Sequence, residues 1–288
     1  MSENIRVVVT GVSGRMGQMI LAGVRSNTKT RLVGAIERQG HDWIGKDVGM
    51  VSGSTSLGIE VSADPASVFK DADAIIDFSA PNASVQFSIL AAELGIVHVI
   101  GTTGFSDHEL VLIGNSGKKA IIIRAGNMSL GVNLLVQLTK RVAAVLDDDF
   151  DIEIIEAHHN KKVDAPSGTA IMLGGAAADG RQVALSKVRD SGRDGLTGHR
   201  NKGDIGFVSV RGGDVVGEHD VLFAAAGERI VLRHIATDRA IFVRGALKAV
   251  EWGILQAPGE YSMEDVLGLY QDPGGFLVNN VIFQTSFT

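Results

Sequence analysis

The sequence predicts a two-domain α/β protein, with a doubly wound parallel sheet first and a smaller α+β domain after it. Up to Arg124, short β-branched runs alternate with amphipathic stretches, which is typical of βαβ units. After Asn127 the pattern changes to a long apolar-periodic segment and then to strands in close succession. Short connections of that kind favour antiparallel pairing, so the second sheet is expected to be mostly antiparallel.

The first domain is expected to contain five strands. Their ranges are Ile5–Thr10, Arg31–Ile36, Ala74–Phe78, Ile96–Ile100 and Ala120–Arg124. Three helical segments lie between them: Met16–Val24, Pro65–Lys70 behind Asp64 as cap, and Ala83–Leu94 behind Asn82 as cap. Strands and helices in alternation predict a sheet with helices on both faces.

The second domain is expected to span residues 129–237. Its segments are a helix over Leu130–Leu146, a strand over Ile152–Ala157, a helix after Ser167, a glycine-rich loop over Ser191–Gly203, and strands over Ile205–Arg211, Val221–Ala226 and Arg229–Ile235. Helical periodicity then returns over Ala240–Leu255, and Ser262 with Asp265 indicates another helix start. This last part is expected to fold back onto the first domain, which would comprise residues 1–128 plus 238–288.

Composition limits the classes of function. The chain has 45% hydrophobic residues, no cysteine and a formal net charge of −6. A globular protein fits this hydrophobic content, and an acidic chain argues against general nucleic-acid binding. Without cysteine there is no disulfide, thiolate metal site or cysteine nucleophile. No apolar run approaches the roughly 18 residues that span a bilayer, so we expect no membrane partner and a cytoplasmic protein.

A glycine-rich turn directly follows the first strand. Glycines stand at positions 11, 14 and 17, between a strand and a helix, where backbone amides can approach a pyrophosphate. The spacing is GxxGxxG, so the pattern alone is weak, and a purely structural turn is the alternative. Strand, turn and helix in register favour a nicotinamide site on a Rossmann-like domain. The residues of this turn expected to bind the cofactor are Gly11, Val12, Ser13, Gly14, Arg15 and Met16.

Glu37 and Arg38 lie at the end of the second strand, about twenty residues after the turn. An acid at this place normally binds the ribose hydroxyls, and a guanidinium can bind a 2′-phosphate. The pair therefore leaves both NADH and NADPH open as cofactors.

Two loops follow later strands of the same sheet and are expected to flank the nicotinamide. Ligands collect at the carboxyl edge of an open parallel sheet, although ordinary βα turns are an equal alternative. The loop residues are Gly101, Thr102, Thr103, Ala125, Gly126, Asn127 and Met128.

The stretch from Glu156 to Thr169 contains two imidazoles, two ammoniums and a helix start. Histidine can act as a general acid or base near neutral pH, and free N–H groups at a helix N-terminus bind carboxylates. Each feature has an ordinary explanation: a packed histidine, a solvated lysine turn or a helix entry. Their coincidence favours a catalytic site for a small anion. The histidine and lysine spacing does not suit a metal, so no metal is expected.

Several motifs together resemble the 4-hydroxy-tetrahydrodipicolinate (dihydrodipicolinate) reductase family of lysine and diaminopimelate biosynthesis. They are the turn over 11–17, Glu37-Arg38, Asp77-Phe78-Ser79, the loops over 101–105 and 127–133, the stretch over 156–169, and Val216-Gly217-Glu218-His219. The resemblance runs from Ile5 to about residue 270, and the stretch over 156–169 is its most specific part. The tail over 273–288 extends past the family's usual end and has no functional interpretation.

The resemblance implies an NADH- or NADPH-dependent reductase that assembles as a homotetramer through sheets of the second domain. It implies that His158 is the acid/base, that Lys162 is the second catalytic cation, and that His159, Gly168 and Thr169 hold a substrate carboxylate. Ser167, which opens the helix, joins this substrate-binding group. A small cyclic dicarboxylate needs such cations and amides, because hydride delivery builds negative charge that an acid must quench. Two alternatives stay open: a dehydrogenase of another small acid, and a dinucleotide-sensing protein without catalysis.

Overall fold

The computed structural model describes residues 4–269 and contains two sheets. The first has seven strands, and its six strand pairings are all parallel. Its strands are β1 (Ile5–Thr10), β2 (Thr30–Ile36), β3 (Val61–Ser62), β4 (Ala74–Asp77), β5 (Val97–Ile100), β6 (Ile121–Arg124) and β12 (Gly259–Tyr261).

The strand order in this sheet is β12-β6-β5-β4-β1-β2-β3. The order reverses at β1, which lies between β2 and β4, and such a switch point forms a crevice at the carboxyl ends of the strands. Val7, Val8 and Val9 of β1 are fully buried, as expected for a central parallel strand covered on both faces. The glycine-rich turn therefore emerges at the switch point.

Helices cover this sheet on two sides. They are α1 (Arg15–Ser26), α2 (Val48–Val51), α3 (Pro65–Val68), α4 (Pro81–Leu94), α5 (Asp107–Ser116), α9 (Ala240–Gly253) and α10 (Met263–Leu267), with a 3-10 turn at Phe69–Asp71. After the second sheet the chain returns here: α9 packs on α1, β4, β5 and β6, while β12 pairs with β6. Residues 240–261 therefore pack on the first sheet although they follow the second sheet in the chain.

The second sheet has five strands in the order β11-β10-β7-β9-β8. They are β7 (Asp151–His158), β8 (Arg189–Asp190), β9 (Ile205–Arg211), β10 (Gly217–Ala225) and β11 (Glu228–Ala236). β10 is antiparallel to β7 and β11, whereas β9 is parallel to β7 and β8. The sheet is therefore mixed, with two antiparallel and two parallel strand pairings, because a helical crossover joins β7 to β9 and places them parallel.

Three helices belong to this second part of the chain: α6 (Leu130–Val145), α7 (Gly168–Gly180) and α8 (Leu185–Val188). α6 and α7 pack together and against one face of the sheet, where Ile152, Ile154, Val221 and Phe223 are fully buried. The opposite face carries exposed apolar side chains. Val208, Val210, Val231 and Ile235 are between 45% and 52% exposed.

The fold class is confirmed, and several element boundaries are corrected. α4 begins at Pro81 behind Ala80, not behind Asn82, because proline is favoured at the first helical position. β10 begins at Gly217, four residues earlier than predicted. Its first residues are not predicted as strand because Glu218, His219 and Asp220 are polar and do not form an apolar run. The sequence interpretation missed three strands and three helices: β3, β8, β12, α2, α5 and α8. The tail over 273–288 lies outside the described residues.

Candidate functional site

The glycine turn has the geometry that a close pyrophosphate contact needs. Gly11 has a φ of +61°, in the left-handed region that favours glycine. A Cβ on Gly17 would lie 2.1 Å from the Gly11 carbonyl oxygen, so only glycine lets α1 start this close to β1. The first N–H groups of α1 have no partner within the helix and point toward the turn. The turn therefore fits a dinucleotide.

Glu37 is turned toward the glycine turn. Its carboxylate accepts hydrogen bonds from Ser13 N at 3.0 Å, Ser13 Oγ at 2.7 Å and Arg38 N at 2.9 Å. Burial raises the pKa of Glu37, but these hydrogen bonds outweigh burial and lower it. The acid is thus ionised and already braces the turn, while the Arg38 side chain is exposed beside it.

A buried polar network holds the loop after β4. Asp77 is fully buried and accepts hydrogen bonds from Thr10 Oγ1 at 2.7 Å and from Ser79 N at 3.0 Å. Next to it, the ring of Phe78 fills the space over Gly101, where a Cβ would lie 2.2 Å from Phe78 Cε1. Phe78 therefore forms a wall beside the loop after β5.

The two parts of the chain meet at Asn127. Its Nδ2 donates to Thr169 Oγ1 at 3.0 Å, and its Oδ1 accepts from Ser129 N at 2.8 Å. One residue thus links the loop after β6, the cap of α6 and the first turn of α7. This contact brings the predicted cofactor loops beside the predicted substrate residues.

His158 is the last residue of β7, and its ring faces the interior. Its Nδ1 lies 2.6 Å from Glu156 Oε2. Arg211 makes two hydrogen bonds to Glu156, at 2.8 Å and 2.7 Å, and Ser167 N donates to Glu156 Oε1 at 3.2 Å. Burial raises the pKa of Glu156, but the hydrogen bonds from Arg211, Ser209 and His158 and the charge of Arg211 lower it to about 2. The carboxylate is therefore ionised.

The pKa of His158 is lowered from its ordinary value. Burial is the largest cause, and the hydrogen bond and charge of Glu156 oppose it. The positive charges of Lys162 and Arg211 lower it further. The surroundings of His158 therefore favour its neutral imidazole over the imidazolium near pH 7.

His219 lies beside His158, with ring centroids 5.1 Å apart and the rings edge to face. Its Nε2 is 2.9 Å from Ser167 Oγ, which also accepts from Ala170 N as the cap of α7. Burial, followed by the charge of His158, lowers the pKa of His219 to about 4. His219 is therefore neutral near pH 7.

Lys162 lies in the turn after β7 and pairs with a neighbour. Its Nζ is 2.8 Å from Asp164 Oδ1, and the Lys162 side chain is 21% exposed. Lys161 is exposed, whereas His159 is half-buried. Of the two lysines, Lys162 is the one directed into the cleft.

Two adjoining clefts collect most of the predicted residues. One of about 270 Å³ is lined by Arg15, Met16, Phe78, Gly101, Gly126, Asn127, Met128, Arg239 and Phe242. The other, of about 540 Å³, is lined by Thr103, Gly126, His158, His159, Lys162, Asp164, Ser167, Gly168, Thr169, Met172, Val216, Arg239 and Phe242. They share Gly126, Arg239 and Phe242, so a ligand in one cleft lies next to a ligand in the other.

Some predicted residues lie elsewhere. Eight predicted residues line neither cleft: Gly11, Val12, Ser13, Gly14, Glu37, Arg38, Thr102 and Ala125. Ser167 lines the second cleft, but its hydroxyl is hydrogen-bonded to His219 and Ala170 N. A larger groove of about 900 Å³, between α1 and α9, contains none of the predicted site residues. Cavity volume alone thus does not mark the predicted chemistry.

Sequence reasoning assigned no role to several residues of this region, among them Arg239, Phe242, Arg211, Glu156 and His219. Arg239 and Phe242 give no local signal, because they follow the second sheet and reach the clefts only through the return of the chain. Arg211 ends a strand 55 residues after Glu156. Glu156 itself could have been found, since residues two apart on a strand share a face and His158 was already a candidate.

Within residues 4–269, no group of three His, Cys, Asp or Glu side chains is arranged to hold a metal ion. No helix in the same range is long and apolar enough to cross a membrane.

Two family models match most of the chain. The dihydrodipicolinate reductase N-terminus model matches residues 5–128, and the C-terminus model matches residues 131–267. A 4-hydroxy-tetrahydrodipicolinate reductase of Ruegeria sp. (strain TM1040) is 63% identical over 269 residues, which are 93% of this chain and 100% of the relative. One from Parvibaculum lavamentivorans is 52% identical over 270 residues, with the same coverage.

Solved structures agree with this match. A dipicolinate-bound dihydrodipicolinate reductase from Paenisporosarcina sp. TG-14 has a TM-score of 0.73 and 26% identity, covering 90% of this chain and 98% of that chain. An amine dehydrogenase from Mycobacterium smegmatis has a TM-score of 0.62 at 15% identity, covering 91% and 96%. The second likeness shows the fold alone.

Proposed function

The chain belongs to the dihydrodipicolinate reductase family and is an NAD(P)H-dependent oxidoreductase, and we propose that it reduces 4-hydroxy-tetrahydrodipicolinate to tetrahydrodipicolinate in lysine and diaminopimelate biosynthesis. One observation carries the proposal. The cleft with His158 and Lys162 shares a wall with the cleft beside α1, so a dicarboxylate would lie next to a dinucleotide.

Along the proposed cofactor site, which runs from the cleft beside α1 to the end of β2, each element has a separate task. The first amides of α1 bind the pyrophosphate, and Glu37 and Arg38 bind the adenosine ribose or its 2′-phosphate. The loops after β5 and β6, with Phe78, flank the nicotinamide. The reduced nicotinamide supplies a hydride when bound. Both NADH and NADPH are accepted, because an acid and a guanidinium are adjacent.

Within the substrate cleft, fixed charges hold the dicarboxylate. The amides of Gly168 and Thr169 at the start of α7 and the half-buried His159 bind one carboxylate. Ser167 contributes by capping α7, since its hydroxyl and its N–H are already hydrogen-bonded within the protein. Lys162 leaves Asp164 to face the developing negative charge, and His158 donates the proton that quenches it.

We also propose how the chain is divided into domains and how the chains assemble. One domain comprises residues 1–128 plus 238–288, and residues 129–237 form a substrate-binding and oligomerisation domain. Four chains associate through the exposed apolar face of the second sheet, where Val208, Val210, Val231 and Ile235 would be buried. We also propose that the enzyme works in the cytoplasm.

The experiment is direct. Purified protein is mixed with NADPH or NADH, and the absorbance of the reduced cofactor is followed as the product of dihydrodipicolinate synthase is added. We expect oxidation only when that product is present. No oxidation, or faster oxidation with an unrelated hydroxy or amino acid, would overturn the proposal. In His158→Gln, kcat should fall by about 10²–10⁴ while cofactor binding is kept.

A further inference from the structure

Glu156 is buried to 1% exposure directly behind the proposed acid. Its hydrogen-bond contacts come from three elements: His158 on β7, Arg211 and Ser209 on β9, and the Ser167 N–H at the start of α7. A buried carboxylate is costly unless it is fully paired, and this one is. Such an arrangement holds the carboxylate in one position and one charge state.

The charge state of Glu156 decides which nitrogen of His158 carries a proton. An ionised carboxylate is only an acceptor, so the His158 nitrogen 2.6 Å from it must be an N–H. That nitrogen is Nδ1. The other nitrogen, Nε2, lies over Gly217, where a Cβ would come within 3.1 Å of it. Glycine thus leaves Nε2 uncovered on that side.

Arg211 connects this pair to the turn with the second cation. Besides its two bonds to Glu156, its Nη2 donates to the carbonyl oxygen of Asp164 at 2.7 Å. Asp164 is the residue whose carboxylate pairs with Lys162. The same guanidinium therefore positions the carboxylate behind His158 and the turn that carries Lys162.

We propose that Glu156, held by Arg211, is a positioning residue that fixes His158 as the Nδ1–H tautomer, so that Nε2 is the atom that takes up and donates the proton. The inference rests on the proposed role of His158. In the chemical step the Nε2–H bond of the imidazolium breaks and the proton forms a bond to the substrate atom that received negative charge. The imidazole stays neutral with its proton on Nδ1, and Glu156 remains ionised.

Other charged groups near His158 decide how a variant will behave. The groups that face it are Glu156, Arg211, His219 and Lys162, and Asp164, His159 and Arg239 line the same cleft. Removing the Glu156 charge leaves cations in the majority around the imidazole, which disfavours the imidazolium. The pKa of His158 should then fall.

The first test uses three variants and the pH dependence of kcat/KM. Because the donor form is the imidazolium, the rate falls as pH rises through the His158 pKa. In Glu156→Gln this descending limb should move about 1–3 pH units lower. In Glu156→Asp, which keeps the charge, the limb should stay nearer to the wild type although the rate drops. Glu153→Gln is the matched control: it removes an arginine-paired carboxylate from the outer face of β7 and should leave the limb in place.

Normal NADPH binding would show that the Glu156→Gln variant is folded. If the descending limb of kcat/KM does not move in this folded variant, the proposal is overturned. A merely structural role predicts that outcome, since both Glu156 variants would lose rate without a shift.

The second test needs no variant of Glu156. Histidine-labelled wild-type enzyme is measured by ¹⁵N NMR above the pKa of His158, with the signal assigned from its loss in His158→Gln. We expect a protonated Nδ1 and an unprotonated Nε2, and the opposite tautomer would overturn the inference. Failure of the proposed function would appear differently, as no turnover in the wild type with the tautomer unchanged.

Discussion

The ammonium of Lys162 lies 2.8 Å from Asp164 Oδ1, so the second proposed catalytic cation is paired inside the protein before any substrate binds. Asp164 is 53% exposed, and solvent screening weakens such a pair. A substrate carboxylate can therefore compete for Lys162. The turn thus keeps the cation positioned without fixing it permanently.

Replacing Lys162 by methionine should lower kcat by about 10²–10⁴, because the charge that stabilises the developing anion is lost. Steady-state kinetics with saturating NADPH measures the effect. Lys161→Met is the matched control, since its side chain is exposed and lines neither cleft. Equal losses in the two variants would remove Lys162 from the mechanism.

Replacing Gly17 by alanine should weaken NADPH binding by about 10- to 100-fold. The new Cβ would lie 2.1 Å from the Gly11 carbonyl oxygen and would push α1 away from the turn. Fluorescence titration of the reduced cofactor measures the Kd. Gly175→Ala in α7 is the control, because no heavy atom lies within 4 Å of its added Cβ. Unchanged binding in Gly17→Ala would place the dinucleotide elsewhere.

Replacing Arg38 by alanine should raise the KM for NADPH by about 10-fold and change the KM for NADH much less, because only NADPH carries a 2′-phosphate. Both values come from initial rates with each cofactor. Arg25→Ala, at the exposed end of α1, serves as the control for loss of one positive charge. A parallel loss with both cofactors would contradict the proposed contact.

Acid should destabilise the protein through His219. Its pKa is lowered from 6.5 to about 4 in the folded state, so the unfolded chain binds the proton first. The stabilising contribution is complete above pH 6.5 and is lost as pH falls toward 4, by about 3 kcal/mol in total. In His219→Gln, the free energy of unfolding should vary less over this range.

Denaturant melts at several pH values measure that slope. The exposed His199→Gln variant should keep the wild-type slope. Carboxylates with a lowered pKa, such as Glu156, do not contribute to this slope between pH 6.5 and about 4.5. Their stabilising contribution is lost only as the pH falls from 4.5 toward 2. An unchanged slope in His219→Gln would show that His219 is not the group that titrates.

Replacing Val208 by aspartate should break the proposed tetramer. The side chain is 45% exposed on the outer face of the second sheet, and a buried unpaired charge opposes association. Light scattering should report about 121 kDa for the wild type, as four chains of 30.3 kDa, and a lower mass for the variant. Val111→Asp on α5, 61% exposed, is the control and should remain tetrameric.

Local sequence signals determined much of this protein. The step from β1 through the glycine turn to α1 follows from an apolar β-branched run, glycines and helical periodicity within 22 residues. The starts of α7 and α10 follow from Ser167 and Ser262, whose side chains cap the next turn. Such features depend on residues that are close together in the chain, so the local sequence is enough to predict them.

The tertiary structure decided the contacts between distant segments. Only the fold shows that β9 runs parallel to β7, that Arg211 holds Glu156, that Asn127 reaches Thr169, and that Arg239 and Phe242 line both clefts. Each contact joins residues that are tens to more than a hundred positions apart. Neither hydrophobic periodicity nor a helix-capping residue predicts such a contact. Imidazoles and ammoniums in one stretch predicted that chemistry occurs here. The packing of β7, β9 and β10 determines which atom of His158 faces the cleft and which charges set its pKa.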